Sequence, residues 1–143
     1  MQWYVIFISL VAIGAVGWLG LELVGRPVRK FIDLRRSVRD QWSPLSNTPA
    51  PQPRETCVTS EQIRRFDTDL RKAREAQRIL RELASSMLAF AERERAACVA
   101  LKPFGFDPAA AAGGMVGLAN VLDRHGADRA AFRTRVEKTL RFR

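Results

Sequence analysis

Read for its hydrophobic and polar positions, the chain changes character several times along its length. Residues 3–21 carry no charged side chain. At 1.5 Å per residue this run makes roughly 28 Å of helix, close to the hydrocarbon thickness of a bilayer. The pattern predicts a transmembrane helix within residues 1–25, with Trp3 and Tyr4 at one interface and Glu22 marking the other end. A cleaved signal peptide fits less well, because no Lys or Arg precedes the apolar run and the basic residues follow it. Ala12, Gly14, Gly17 and Gly20 either reflect the ordinary tolerance of membrane helices for glycine or form a face that lets the backbone of another membrane helix approach closely.

From residue 26 to residue 42 the pattern is amphipathic. Pro27 suits a first helical position, and Val28, Phe31, Ile32, Leu34, Val38 and Trp42 supply an apolar side. The rest is basic: Arg26, Arg29, Lys30, Arg35, Arg36 and Arg39. Directly after a membrane helix, such a segment is expected to lie in the interface with its cations at the lipid headgroups, the alternative being a positive-inside topology signal with no further role. Pro44, Pro49, Pro51 and Pro53 then predict an extended linker over residues 43–59, since proline removes backbone donors and fixes φ.

Between Pro53 and Pro103 there is neither glycine nor proline. Thr59 and Gln62 stand in capping-box spacing, so residues 61–101 can form one helix, roughly 61 Å long if unbroken. Its apolar seam runs through Ile63, Phe66, Leu70, Ala73, Leu80, Ala84, Met87, Ala91, Cys98 and Leu101, interrupted at Gln77 and Glu94. The seam is narrow before residue 78 and widens over 79–91, where Ile79, Leu83, Leu88 and Phe90 join it. A wide face needs more than one partner helix, so the C-terminal helices are expected to pack on this half. The narrow seam suits a coiled-coil partner or one helix of a bundle. Ser85-Ser86 is the expected weak point if the helix breaks.

Asp107-Pro108 reads as N-cap and first position of the next helix, expected to run to about Arg124 and to stop at Gly126. Asp128 is the expected cap of a last helix carrying Phe132, Val136 and Leu140 at four-residue spacing. Phe104 and Phe106 should plug the end of this small core. Glycine inside a helix costs about 1 kcal/mol relative to alanine. Ala109, Gly113 and Gly117 are therefore read as a small-residue ridge for close helix packing, the alternative being a break at Gly113-Gly114. Together these elements predict an all-α protein: membrane helix (1–25), basic juxtamembrane helix (26–42), linker (43–59), and a cytoplasmic helical domain (60–143) made of a long helix and a C-terminal hairpin.

Composition narrows the chemistry. Of 143 residues, 24 are Lys or Arg and 15 Asp or Glu, a net charge of +9. The arginines alternate with acids along the helices, the pattern of a solvated face rather than of a nucleic-acid groove reader. Two cysteines and one histidine exclude a zinc site of four Cys/His ligands and a disulfide-dense scaffold. Cys57 and Cys98 are expected as free thiols. The densest polar group is Asn120, Asp123, Arg124, His125, Asp128 and Arg129, at a helix turn where capping alone collects such residues. No nucleophile or metal-ligand spacing accompanies it, so no catalytic, metal or cofactor-binding residue is assigned and no cofactor is expected.

The collar Arg26-Pro27 with Phe31-Ile32-Asp33-Leu34-Arg35-Arg36, and the terminal pattern Gly105-Phe106-Asp107, Gly117-Leu118-Ala119-Asn120 and Gly126-Ala127-Asp128-Arg129, resemble uncharacterised bacterial single-span inner-membrane proteins. The likeness concerns the collar and the last forty or so residues. It implies a bacterial inner-membrane setting and brings no activity. With the positive charge following the apolar run, the expected topology has the N-terminus outside and the C-terminal domain in the cytoplasm. The expected function is non-enzymatic: an accessory or scaffold subunit of a membrane complex. Its partner surfaces would be the glycine face in the membrane and the seam at Ile63, Phe66, Leu70, Leu80 and Met87, with self-association possible. The alternative is a peripheral reader of anionic lipid, with nucleic acid a lesser candidate.

Overall fold

A computed structural model describes residues 2–51, 59–122 and 127–142. Six α-helices follow one another: α1 (Gln2–Gly20), α2 (Arg26–Ser46), α3 (Ser60–Arg93), α4 (Arg95–Leu101), α5 (Pro108–Val121) and α6 (Ala127–Leu140). A π-helical turn (Leu21–Gly25) carries α1 into α2, and a 3₁₀ turn (Lys102–Phe104) follows α4. No strand occurs among the described residues.

Among the described residues no helix is long and apolar enough to cross a membrane, which overturns the expected transmembrane helix. The physical reason lies at both ends of α1. Gln2, Trp3 and Tyr4 are polar or interfacial in preference, and at the other end glycine adds no apolar side chain. Residues 5–19 make only roughly 22 Å of helix, short of the roughly 30 Å of hydrocarbon. What α1 does show is a row of exposed apolar side chains: Ile6, Phe7, Ile8, Leu10, Val11, Ile13 and Trp18.

The basic segment is not a separate collar. α2 buries Phe31, Val38, Trp42 and Leu45 in the same core as α3, α5 and α6. Much of the apolar side expected to lie on lipid is thus used within the protein, while Ile32 stays exposed. α2 also runs past its expected end, through Pro44 to Ser46. Proline removes one donor and crowds the preceding turn, but Pro44 stands in the last turn, where few hydrogen bonds follow. There the Asn47 N–H donates to Ser43 O (3.3 Å) and the Thr48 hydroxyl to Pro44 O (3.0 Å). Burial of Leu45 is the gain that holds the extra turn. Residues 52–58 of the expected linker, Cys57 among them, lie outside the described residues.

α3 begins as its capping box predicts, the Thr59 N–H donating to Gln62 Oε1 (3.0 Å). It continues through Ser85 and Ser86, both exposed, and breaks instead at Glu94, whose φ is −112° and ψ 53°. No glycine or proline marks that site. The bend allows Ala97 and Leu101 of α4 to reach the core, while the Glu94 carboxylate, facing outward, accepts from Lys30 Nζ (3.3 Å). α5 opens as expected, with Ala110 N–H donating to the Asp107 carboxylate (3.0 Å) and Pro108 at the first position. It ends at Val121; the expected stop at Gly126 lies outside the described residues. α6 starts at Ala127, so Asp128 sits in its first turn rather than capping it.

α5 is the central helix, packed on α3 on one side and on α6 on the other. The small-residue ridge is shifted by a register step from the expected one. A Cβ on Gly114 would lie 2.7 Å from Val136 Cγ2, and one on Gly117 would run into the Phe132 ring. Gly113 has open space around it and Ala109 is exposed, so neither belongs to the contact. Three-residue spacing, not four, brings the two close-contact glycines onto the α6 side. Gly113→Ala should therefore stabilise by about 1 kcal/mol through helix propensity alone. Gly117→Ala should destabilise by about 1–3 kcal/mol through overpacking against Phe132. Urea midpoints of the two variants, moving in opposite directions, check this.

Candidate interaction surface

Two helix ends close in the same way and meet side by side. At the end of the α4 segment, Gly105 adopts φ 77°, its N–H donating to Lys102 O and that of Phe106 to Leu101 O. At the end of α6, Arg141 adopts φ 50°, its N–H donating to Lys138 O and that of Phe142 to Glu137 O. Both are Schellman closures, in which a left-handed residue turns the chain and the next residue folds back as an apolar plug. The plugs are Phe106, edge-on to Phe31 at 5.4 Å, and Phe142, 6.1 Å from Trp42. Phe104, expected beside Phe106 in the core, is exposed instead.

Arg35 occupies the space between the plugs. Its guanidinium lies 5.4 Å from the Phe106 centroid and 5.8 Å from that of Phe142. Nε donates to Leu140 O (2.7 Å) and Nη2 to Arg141 O (3.0 Å). Terminal helix carbonyls lack intrahelical donors, and a cation there also meets the negative end of the helix dipole. Arg35 thus caps α6 from α2, which corrects its assignment to a lipid headgroup. The signal was available in the sequence: positions 31, 35, 38 and 42 form one helical stripe, and Arg35 is its only charged member.

The rest of the collar divides. Arg26 pairs with Glu22 (2.7 Å) and Lys30 with Glu94. Arg29, Arg36 and Arg39 are exposed and make no ion pair among the described residues. Further along α2 a polar bridge ties it to α6. Trp42 Nε1 donates to Glu137 Oε1 (3.1 Å), Arg133 Nε to the same carboxylate (2.8 Å), and Arg133 Nη1 to Asn47 Oδ1 (2.9 Å). Arg129 Nη2 donates to Thr48 O (2.6 Å), which pins the start of the expected linker to α6. The hydrogen bond from Arg133 holds the Glu137 carboxyl below the usual range, against the opposing effect of burial.

The seam of α3 splits between inside and outside. Leu80 and Met87 are fully buried in the protein's own core, Phe66 and Leu70 are half-buried, and Ile63 is exposed. Gly14, Gly17 and Gly20 on α1 have open space around them, and Ala12 is exposed. Of the polar group at the α5–α6 turn, Asp123, Arg124 and His125 lie outside the described residues; Asn120 accepts from Arg81 Nη2 (3.3 Å) on α3. Cys98 is half-buried beside Ala91, and burial pushes its thiol up, away from the reactive thiolate. An apolar cleft of about 630 Å³ lies between the end of α2 and α3, walled by Pro44, Leu45, Pro49, Ala76 and Ile79. No group of His, Cys, Asp and Glu suited to a metal occurs among the described residues.

No protein-family model, no curated protein and no solved structure matches this chain.

Arg35→Lys keeps the charge but loses the planar double donor and the stacking. It should lower stability by about 2 kcal/mol and speed amide exchange over residues 136–142; urea denaturation and hydrogen exchange measure both. Glu137 contributes stability that is present above about pH 4.5 and lost as pH falls toward its depressed native value. Glu137→Gln should flatten that part of the acid limb, read from urea midpoints between neutral pH and pH about 3.

Proposed function

We propose that this chain is a non-enzymatic, membrane-attached interaction protein, an accessory or scaffold subunit at the cytoplasmic face of a bacterial inner membrane. One observation carries the reading. α1 is apolar around its circumference in sequence, and Ile6, Phe7, Ile8, Leu10, Val11, Ile13 and Trp18 are all exposed. A helix of that kind is stable where its surroundings are apolar too, and a run shorter than a span is long enough to be held in lipid. The reading is attachment, not passage to the far side. The basic residues that follow, with Arg29, Arg36 and Arg39 exposed, favour a leaflet rich in anionic lipid, as the cytoplasmic one is. The open edge at Gly14, Gly17 and Gly20 suits close approach of another helix in lipid, and Ile63 extends the partner surface onto α3.

Burial of the α2 apolar face narrows the alternative of a peripheral lipid reader, since α2 cannot lie flat on a bilayer while its core is intact. Flotation of the full chain with phospholipid vesicles tests attachment. The native chain should float and resist carbonate extraction. The pair Ile8→Glu and Ile13→Glu should leave it in the dense fraction with the circular dichroism of α2–α6 unchanged. A native chain that stays dense overturns attachment; a chain that leaves the membrane in mild detergent as a bare monomer overturns the stable-subunit form.

A further inference from the structure

We infer that the outer face of α4 and of the turn after it, Arg95, Val99 and Lys102, is a second lipid contact, which sets the domain against an anionic membrane surface in one orientation. The inference rests on the attachment of α1 to lipid and adds where the domain touches. Three observations carry it. The first is position: α4 packs against the π-helical turn Leu21–Gly25, which directly follows α1. A lipid surface that takes in α1 as far as Gly20 therefore meets α4 next. The second is exposure: Val99 is 67% exposed, although Ala97 and Leu101 on the same helix are buried. Positions 95, 99 and 102 follow four- and three-residue spacing, so one face presents an apolar side chain between two cations. The third is charge. Of the acids on the adjoining segments, Glu22 is paired with Arg26 and Glu94 with Lys30, while Asp107 keeps its charge as it accepts from Ala110 N–H. Glu92 lies on α3, before the bend. Arg29, Arg95 and Lys102 are exposed and have no ion pair among the described residues. An apolar residue flanked by cations matches an anionic headgroup layer, with Val99 toward the acyl boundary and the cations toward phosphate.

The bend at Glu94 then has a use beyond packing, because an unbroken α3 would carry residues 95–102 away from the root of α1. The test uses the full chain with Cys57→Ser and Cys98→Ser, and an environment-sensitive fluorophore on Val99→Cys or, separately, on Ile13→Cys. Vesicles of phosphatidylcholine alone, or in equal parts with phosphatidylglycerol, carry a headgroup-level quencher. Both probes should be quenched in the mixed vesicles. The probe at 99 should lose most of its quenching in neutral vesicles, at high salt, or with Arg95→Gln and Lys102→Gln together; two surface cations correspond to about a thirtyfold change in contact equilibrium. The probe at 13 should keep its quenching throughout. A quenched probe at 13 with an unquenched probe at 99 overturns this inference and leaves attachment standing. Neither probe quenched overturns attachment, and this inference with it.

Discussion

The fold depends on how Arg35 is held. It reaches from α2 to the last carbonyls of α6 and lies between Phe106 and Phe142, the two residues that close their respective helix ends. Three separate elements, α2, the loop after α4 and the end of α6, therefore converge on one guanidinium. A lysine offers a point charge, and an apolar residue would leave the carbonyls without donors; a planar cation serves both requirements. Arg141 joins the same junction from the other side, its Nη1 donating to Phe104 O (2.9 Å) across Gly105. The left-handed Arg141, costing about 1 kcal/mol relative to glycine, is offset by that contact and by the Phe142 plug.

This junction makes α2 part of the helical domain. Had α2 been an independent collar followed by a free spacer, the domain could swing away from whatever holds α1. Instead α1 continues through a helical turn into a helix whose apolar face is buried in the core, and Asn47 and Thr48 are tied to α6. Any constraint on α1 thus passes directly to the domain. π-helical turns are favoured where a helix has to be re-aimed, and the one at Leu21–Gly25 stands between the apolar helix and the amphipathic one.

Much of the architecture was legible in the chain. The all-helical class, the start of α3 at Thr59, the Asp107-Pro108 start of α5 and the buried four-residue spacing of Val136 and Leu140 all follow from local capping chemistry and periodicity. Less legible were features in which an element's local pattern is answered by a distant one. Proline at 44 reads as an end, yet Leu45 finds a core that holds the turn. Gly113 and Gly117 look equivalent, yet only the facing residues of α6 show that Gly114 and Gly117 make the contact. The bend at Glu94 has no breaker residue and is decided by where Ala97 and Leu101 can be buried. The length of the charge-free run suggested a span, yet among the described residues no helix is long and apolar enough to cross a membrane.

By itself the sequence determined the elements: which segments are helical and where most begin. Among the elements, α1 and α5 are apolar on most sides and α2 and α3 are striped; these are short-range properties, set by hydrogen bonding, capping and side-chain period within a few turns. Tertiary structure alone decided the partners. It turned an apparent lipid-facing arginine into a helix cap, spent the apolar face of α2 inside the domain, and brought α4 beside the root of α1. Such outcomes depend on which surfaces meet at contact distance between residues up to about a hundred positions apart, as Arg35 and Arg141 are, and spacing along the chain carries no record of that.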